Sequence, residues 1–521
     1  MGRGTIVVVV ASRPPRENVG TRKFTKLSGT NGRDPSRNVG AATPAGSKGI
    51  DFAIFLLADG VRPDVLRELA ESGELPNISR YLMAEGSYYD GVTVLPSVTN
   101  VAYIPMLTGQ YPGTADIPGS RWVDKSRFNA GKLFLKGHRS YVGPTNNRFS
   151  GDMSPGTETL YELCPDSLAV RSDIHRGLPS NRNRAQGISL LGSFVSHYTR
   201  RSDFVDWIAL KSLMGALGRM SGDLPRLVFL PLVDVDTAAH AHGPHDRRTI
   251  AAYRRIDAAV GKIVEGLRRL GIWKRTHFLM SSDHGHTETK VHLGLRGLMS
   301  DIGYKVFEHP SIHSRGVDAA VMVSGNSYAN IYLASEGEWE RPLAGHELEG
   351  EHMRLLMALC RREEIEWIAF RWDGGATKIM SDSGQALLDK VDDHYTYDYE
   401  GSDPLRLGLA HGRVPGSEAL SLTIESEFPD ALEQIWQLFT STRTGDIIVT
   451  SKPGYDLWGR RELPEHHSSH GALCREHMRV PILSNRPLSN EGPARTVDLF
   501  PTIAESLGLS PTKPHFGRSL W

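Results

Sequence analysis

The sequence predicts a doubly wound α/β fold, with a mostly parallel sheet flanked by helices and an inserted α+β cap subdomain. Three apolar runs each end at an acidic residue; they read DFAIFLLADG from Asp51, RLVFLPLVDVD from Arg226 and THFLMSSDHG from Thr276. Continuous apolar runs of this length are typical of strands buried on both faces of a parallel sheet. Because helical segments lie between these strands, the alternation indicates the doubly wound class.

The clearest predicted helix covers residues 247–271. One face of this helix carries arginines and a lysine, and Gly271 is a typical residue at a helix end. The segment 66–86 predicts two shorter helices. The apolar positions of the long helix recur at steps of three and four residues, as an amphipathic helix requires: Ile250, Tyr253, Ile256, Val260, Ile263, Val264 and Leu267.

The 521-residue chain is too long for one small domain. Two weaker strand patterns, GDIIVTSKPG from Gly445 and RVPILSN from Arg479, lack the terminal acid. We expect a disordered leader at 1–48, because that stretch is rich in Arg, Gly, Ser, Pro and Asn. The core is predicted to comprise 49–299 and 446–521, with the cap subdomain inserted at 300–445.

Bulk composition excludes some classes of partner. Lys plus Arg and Asp plus Glu both number 60, so no nucleic-acid-binding patch is evident from overall charge. No apolar run is long enough to predict a membrane span. Three widely spaced cysteines argue against a disulfide framework and favour a cytoplasmic location. A secreted or periplasmic location is the alternative if the apolar run Thr5–Ala11 acts as a signal.

Three aspartates follow the apolar strands and are predicted to lie at one edge of the sheet. Asp59, Asp236 and Asp283 each come at or just after a strand end. Ligands of open α/β sheets bind beyond the carboxyl ends of the strands. Any one of these aspartates is also compatible with a plain turn or helix-cap role.

Histidines strengthen the prediction of a metal site. His240 follows Asp236 at the fourth position, which places both side chains on one face of a helical turn. His284 follows Asp283 directly, and HHSSHG adds three more histidines, the last of them His470. Aspartate and imidazole are suitable ligands for zinc and similar cations.

A hydroxyl nucleophile is predicted in VLPSVTNVAYIPMLTGQYPG, which runs from Val94 to Gly113. Ser97 or Thr99 precedes a short apolar helix, and Thr99 is expected to cap it. The free N–H groups at a helix start favour a negatively charged group. Thr99 is therefore the candidate nucleophile.

The order of motifs resembles a known family. LADG, PSVTN with LTGQYPG, DVDTAAHAHGP, SDHG and SHG occur in the order found in the alkaline phosphatase superfamily. Within that superfamily the chain most resembles the type I phosphodiesterase/nucleotide pyrophosphatase branch. The resemblance covers roughly residues 50–295 and 445–521.

The resemblance implies a two-metal hydrolase that cleaves a phosphodiester or pyrophosphate bond through a phosphothreonine on Thr99. It implies two divalent ions, zinc first and manganese as the alternative, and a small phosphorylated substrate. The oligomeric state stays open. One ion would be held by Asp236, His240 and His470, and the other by Asp59, Thr99, Asp283 and His284.

Departures from the branch leave alternatives open. Thr99 is followed by Asn100, which resembles the phosphonoacetate hydrolase branch, so phosphonate hydrolysis, phosphomonoesterase activity and phosphotransfer remain alternatives. The asparagine that supports the phosphoryl oxygen in nucleotide pyrophosphatases has no clear match, and Asn100 or Arg121 is the expected substitute. His242 and His286 are expected to lie outside the ligand set, where either could orient a ligand.

Overall fold

The structure is a computed structural model that describes most of the chain beyond residue 48. The predicted leader, 1–48, lies outside the described residues. The described ranges are 49–128, 137–142, 145–185, 203–219, 224–311, 316–335, 338–409, 412–457, 465–489 and 492–521. The described residues belong to one compact unit.

A mostly parallel sheet of eight strands carries the predicted strands that end in aspartate, which confirms the fold class. Phe52–Ala58 lies between Leu227–Leu232 and Thr276–Ser281 and is parallel to both. Arg479–Ser484 joins the same sheet but runs antiparallel to its neighbours. In spatial order the strands are Ala494–Arg495, Ser87–Val92, Arg479–Ser484, Thr276–Ser281, Phe52–Ala58, Leu227–Leu232, Ser167–Val170 and Asn183–Arg184.

Helices cover both faces of this parallel sheet because its central strands are apolar on both sides. Along Phe52–Ala58, alternate residues enter two different buried clusters, with Phe55 in one and Leu56 in the other. The long predicted helix is confirmed as Arg247–Arg269, and it buries Ile256 and Val260 against the second of these clusters. The sheet therefore lies between two buried apolar clusters, one on each face.

A second, nine-stranded sheet is mostly antiparallel. The strand pattern after Gly445 forms Ile447–Ser451, which lies in this sheet and runs antiparallel to both neighbours. The sequence pattern gave this strand no sheet partner, because an apolar run without flanking signals suits either kind of buried strand. In spatial order the strands are Val306–Glu308, Ala319–Ser324, Tyr328–Leu333, Ile447–Ser451, Ile365–Arg371, Thr377–Met380, Gly384–Val391, His394–Gly401 and Gly412–Pro415.

Two small sheets and a set of shorter helices complete the described structure. One small sheet contains Gly454–Asp456, Thr287–His292 and Ser468–Ser469, and the other pairs Arg121–Val123 with His138–Ser140. The remaining helices of four or more residues are Pro63–Glu71, Ser79–Ala84, Thr99–Thr108, Phe149–Asp152, Leu160–Leu163, Asp203–Arg219, Asp234–His242, Leu295–Asp301, Gly345–Glu351, Met353–Cys360, Gly416–Thr423, Ala431–Leu438, Arg475–Met478 and Leu499–Ser506.

Two further predictions concern cysteines and membranes. Cys164, Cys360 and Cys474 are buried free thiols. Across the described ranges, every helix is too short or too polar to cross a bilayer. The boundaries of the predicted cap, 300–445, stay a prediction.

Candidate metal centre and nucleophile

Two of the predicted carboxylates meet because their strands are adjacent and parallel. Asp59 follows Phe52–Ala58 and Asp283 comes two residues after Thr276–Ser281, and the register pairs Leu57 with Ser281. The backbone N–H of Gly60 donates to Asp283 Oδ1 at 3.1 Å. Both carboxylates are buried. The shared carboxyl edge of the parallel sheet therefore brings them together.

The third carboxylate enters from a helix. Asp236 lies in the first turn of Asp234–His242, and its backbone N–H donates to the carbonyl of Asp59 at 3.1 Å. One turn later, His240 Nε2 lies 3.3 Å from Asp236 Oδ1. The step of four residues thus brings these two side chains together, as the sequence predicted.

Backbone carbonyls set the orientation of two histidine rings. His470 Nδ1 donates to the carbonyl of Ser97 at 2.9 Å, and His240 Nδ1 donates to the carbonyl of Ser468 at 2.8 Å. Each bond fixes the tautomer, so that Nε2 is the nitrogen left to face Asp236. His470 Nε2 lies 3.9 Å from Asp236 Oδ1.

His284 connects the remaining carboxylates to the candidate nucleophile. Its Nε2 lies 3.2 Å from Thr99 Oγ1 and 3.6 Å from both Asp59 Oδ1 and Asp283 Oδ2. Its ring stacks on that of His470, with centroids 3.6 Å apart and planes 6° apart. His284 and His470 belong to the two different predicted ligand groups. Their stacked rings therefore place the two groups side by side.

The expectation that Thr99 caps its helix is wrong. Val98 occupies the cap position with extended backbone, no side chain forms a cap hydrogen bond, and Thr99 is the first residue of Thr99–Thr108. The Thr99 hydroxyl faces His284 and is therefore not used by the helix backbone. The rest of the helix is buried, and it ends at Gly109 in the left-handed conformation with φ 64°.

Three overlapping groups in the described residues could each hold a metal ion. They are Asp236 with His240 and His470, Asp59 with Asp283 and His284, and Asp236 with His284 and His286; within each, the ligand atoms lie within 4.8 Å of one another. Asp59 Oδ1, Asp236 Oδ1 and Asp283 Oδ2 are buried with no hydrogen-bond partner among the described residues. Buried carboxylate oxygens without partners, aimed at imidazoles, fit a divalent cation.

Burial and mutual repulsion disfavour the ionised form of the two carboxylates at the strand ends. Burial, followed by repulsion from Asp283 and Asp236, raises the pKa of Asp59 well above its usual range. Burial and then Asp236 raise the pKa of Asp283 to about 8. A bound cation would reverse both effects, since opposite charge nearby favours the ionised carboxylate.

The pKa values of Asp236 and of the histidines shift downward, in the opposite direction to those of Asp59 and Asp283. Burial works against the charged form of Asp236, but His240 and His286 hold the pKa of this carboxyl well below its usual range. Burial lowers the pKa of His284 and of His470 well below the ordinary value, with neighbouring histidines adding to the effect. Neutral imidazole is the form that binds metal.

The sequence placed His286 outside the ligand set, but the structure brings it into contact with Asp236. The ring is fully buried, its Nε2 lies 3.2 Å from Asp236 Oδ1, and its Nδ1 lies 3.1 Å from Ser468 Oγ. The sequence signal is limited to proximity: in SDHGH, His286 follows the predicted ligand His284 by two residues, between the strands Thr276–Ser281 and Thr287–His292. His242 instead accepts from Arg248 Nη1 at 2.9 Å, in an exposed pair.

The two predicted phosphoryl-binding residues lie next to the nucleophile helix. Asn100 is buried, and its Oδ1 accepts from Ser120 Oγ at 2.7 Å. Arg121 follows Ser120, and its Nη1 donates to the carbonyl of Val323 at 3.1 Å. The role of both side chains stays a prediction.

The second sheet also contributes to the centre, which the sequence did not indicate. The backbone N–H of His470 donates to the carbonyl of Gly325 at 3.0 Å, and the N–H of Ser327 donates to the carbonyl of His470 at 3.0 Å. Asn326 Nδ2 lies 2.7 Å from His466 Nδ1. The turn between two strands of the second sheet therefore holds the His470 segment in place.

The mostly parallel sheet, with aspartates and histidines at its carboxyl edge and a threonine facing them, defines a protein of the alkaline phosphatase superfamily. The sequence model of the family described as type I phosphodiesterase/nucleotide pyrophosphatase matches residues 53–473. The chain belongs to that family.

Curated relatives are similar over part of their length. The chain is 24% identical over 335 residues to rat ectonucleotide pyrophosphatase/phosphodiesterase family member 1, covering 60% of this chain and 33% of the relative. It is 25% identical over 248 residues to mouse GPI ethanolamine phosphate transferase 1, covering 46% of this chain and 24% of the relative. The matched region thus spans a third or less of these relatives.

Solved structures share the fold. Murine ectonucleotide pyrophosphatase/phosphodiesterase 5 superposes with a TM-score of 0.56 at 14% identity, covering 89% of this chain and 97% of that one. A phosphonoacetate hydrolase from Sinorhizobium meliloti, solved with phosphonoacetate, superposes with a TM-score of 0.53 at 14% identity, covering 88% and 95%. At these identities the likeness establishes the fold.

Proposed function

We propose that the chain is a two-metal hydrolase that cleaves a phosphodiester or pyrophosphate bond through a phosphothreonine on Thr99. The observation that carries the proposal is the position of the Thr99 hydroxyl, 3.2 Å from His284 Nε2, which is itself 3.6 Å from Asp59 and from Asp283. A hydroxyl among buried carboxylate and imidazole groups is placed to share a cation with them. Membership of the family supports the reaction class.

The donor sets divide between two ions. Asp236, His240 and His470 would hold one, and Asp59, Thr99, Asp283 and His284 the other. Zinc suits carboxylate and imidazole ligands at this number, with manganese as the alternative. When bound, the pair of cations lowers the pKa of the Thr99 hydroxyl and stabilises charge on the oxygens around phosphorus.

The chain's own groups position the reaction. Thr99 Oγ1 attacks phosphorus, the bond from phosphorus to the leaving oxygen breaks, and water then cleaves the phosphothreonine to regenerate the hydroxyl. Because Thr99 begins its helix, the unpaired N–H groups of the first turn face the phosphoryl oxygens. Asn100, held by Ser120, is the side chain available to bind those oxygens.

The test compares Thr99→Ala with Thr99→Ser and with the control Thr396→Ala, which changes a threonine in the strand His394–Gly401. We expect Thr99→Ala to lose at least about a thousandfold in kcat on bis-p-nitrophenyl phosphate, because the nucleophile is gone. Thr99→Ser should retain part of the activity, and the control should match wild type. Full activity of Thr99→Ala would refute the proposed nucleophile.

A second measurement tests the intermediate. Rapid acid quench of wild type during turnover, followed by peptide mass spectrometry, should find one phosphoryl group on the peptide that contains Thr99. Thr99→Ala should show none. A phosphoryl group on another residue would contradict the assignment.

Phosphonate hydrolysis and phosphotransfer are the second candidates. The pair Thr99–Asn100 and the likeness to a phosphonoacetate hydrolase fold support the first. Similarity to a GPI ethanolamine phosphate transferase supports the second. Parallel assays on bis-p-nitrophenyl phosphate, p-nitrophenyl phosphate and phosphonoacetate, with and without an added alcohol acceptor, separate these activities.

A further inference from the structure

Arg121, His138 and His309 form a cluster whose side chains the proposed metal sites do not use. Arg121–Val123 pairs antiparallel with His138–Ser140, with Arg121 opposite Ser140 and Val123 opposite His138. Residues directly opposite share a face, and so do alternate residues of one strand, so Arg121 and His138 lie on the same face. The His138 ring lies 6.2 Å from the ring of His309, centroid to centroid.

Hydrogen bonds connect the cluster to the nucleophile helix. Ser120, directly before Arg121, donates from Oγ to Asn100 Oδ1 at 2.7 Å. Asn100 is the residue after Thr99. The backbone that carries Arg121 is therefore one side-chain hydrogen bond away from the start of the helix.

A second path connects the cluster to the metal ligand His470. The backbone N–H of Arg121 donates to Ser324 Oγ at 3.2 Å, and the guanidinium donates from Nη1 to the carbonyl of Val323 at 3.1 Å. The next residue, Gly325, accepts from the backbone N–H of His470 at 3.0 Å. Arg121 is thus hydrogen-bonded to the strand end that leads into the turn holding His470.

The two imidazoles of the cluster have polar atoms that no described residue satisfies. Nδ1 of His138 and Nδ1 of His309 are both buried, with no hydrogen-bond partner within the described ranges. Each residue as a whole is half-buried. Buried polar atoms in folded proteins nearly always find a partner, which points to a bound group at this place.

The residues whose charge shifts the pKa of the His309 and His138 rings are all basic: Arg121, His138 and Arg139. Burial, then Arg121 and His138, lower the pKa of His309 to about 3. Burial, then Arg139, lowers the pKa of His138. The lowered pKa values favour the neutral form of both imidazoles, so an anion entering the cluster would meet the charge of Arg121 and ring N–H groups able to donate hydrogen bonds.

We propose that Arg121, His138 and His309 bind a second anionic group of the substrate, a carboxylate or a phosphate, carried beyond the phosphorus atom that Thr99 attacks. The substrate class is then a phosphoryl compound with an acidic substituent, such as a pyrophosphate or a carboxylated phosphonate. The inference rests on the proposed function, because it takes Thr99 as the point of attack.

The experiment measures binding rather than turnover. Isothermal titration of metal-loaded Thr99→Ala protein uses two matched pairs of probes: phosphonoacetate with methylphosphonate, and pyrophosphate with inorganic phosphate. Each pair differs by one further acidic group, a carboxylate in the first and a phosphate in the second. The same titrations are repeated after adding Arg121→Gln, His138→Gln or His309→Gln, and after the control Arg269→Gln at the far end of Arg247–Arg269.

We expect the acidic member of at least one pair to bind about 10- to 100-fold more tightly than its partner, which is the worth of one or two hydrogen bonds to charged groups. Arg121→Gln should remove most of that preference and leave the affinity for methylphosphonate within about threefold. The pair that responds identifies carboxylate or phosphate. Arg269→Gln should change neither value.

An equal loss of affinity for both members of a pair, or no preference in either pair, would overturn the subsite. His309→Gln guards against misfolding of the Arg121 variant, because it changes a different segment and is expected to give the same selective loss. Failure of the proposed function is a separate result. Protein that prefers the acidic probes but forms no phosphothreonine in turnover would keep the subsite and refute the mechanism.

Discussion

At the scale of single residues, the most direct expectation is that the proposed ligands divide between two metal ions. Asp236 and His240 belong to one donor group and Asp59 to the other. Replacing one ligand of either group should therefore remove one metal ion and leave the other bound. Metal content measured by plasma mass spectrometry distinguishes this arrangement from a single shared ion.

We predict that His240→Ala and Asp59→Asn each lower bound metal from about two ions to about one per chain, because each removes a ligand from one group only. Activity on bis-p-nitrophenyl phosphate should fall at least about a hundredfold in both variants. Variants that keep two ions, or that lose both together, would contradict the proposed division. His242→Gln, whose ring binds Arg248 at the surface, is the matched control.

His286 gives a second residue-scale prediction. Its Nε2 faces Asp236 Oδ1 at 3.2 Å, while Ser468 holds its other nitrogen. We expect His286→Gln to weaken metal binding about 10- to 100-fold, the usual effect of removing a group that orients a metal ligand. Competition with a fluorescent zinc chelator measures the affinity. Unchanged affinity would show that His286 only fills space beside Gly60.

At the scale of elements, a buried ion pair joins the segment after Arg121–Val123 to the second sheet. Lys125 Nζ lies 2.9 Å from Asp446 Oδ2, with the side chains 4% and 0% exposed. The two oxygens of Asp446 also accept the backbone N–H groups of Leu333 and Leu343, each at 2.7 Å. Asp446, directly before the strand Ile447–Ser451, therefore connects the segments that contain Lys125, Leu333 and Leu343.

We predict that Asp446→Ala lowers the free energy of unfolding by about 3–5 kcal/mol, because it leaves the Lys125 charge buried without a partner. The exposed pair of Arg269 and Glu265, 70% and 68% exposed, supplies the control. Glu265→Ala should change stability by less than about 1 kcal/mol. Urea unfolding followed by circular dichroism measures both, and a loss below about 1 kcal/mol for Asp446→Ala would contradict the prediction.

At the scale of the whole molecule, the centre joins segments that are far apart in sequence. Its proposed ligands come from the strand end at Asp59, the helix Asp234–His242, the strand end at Asp283 and the loop at His470. Buried carboxylates gathered without a cation repel one another, as the raised pKa of Asp59 and of Asp283 shows. Bound metal is therefore expected to stabilise the entire fold.

We predict that chelation lowers the unfolding temperature by several degrees and abolishes activity, and that added zinc restores both. A ligand that binds only the folded state adds about 3–4 kcal/mol when present at 100 to 1,000 times its dissociation constant. Differential scanning calorimetry with and without EDTA measures the shift. The double variant Asp59→Asn with Asp236→Asn should show no response to zinc, and a response equal to that of wild type would place the stabilising ion elsewhere.

Local patterns predicted the parallel sheet and its neighbouring helix well. Apolar runs such as Phe52–Ala58 carry their own signal, since a strand buried on both faces must be apolar throughout. The four-residue step from Asp236 to His240 is likewise a local property of a helix. The sheet partners of Ile447–Ser451 could not be predicted, because an apolar strand pattern does not specify its neighbours.

The sequence by itself determined the fold class, the candidate nucleophile and the residues at the strand ends, because strand burial and helical spacing act over a few residues. Only the tertiary structure decided that His286 contacts Asp236, that the Thr99 hydroxyl faces His284 and not its own helix, and that Gly325 holds His470. These contacts join residues far apart in the chain. Their geometry depends on how the two sheets pack, which no local pattern encodes.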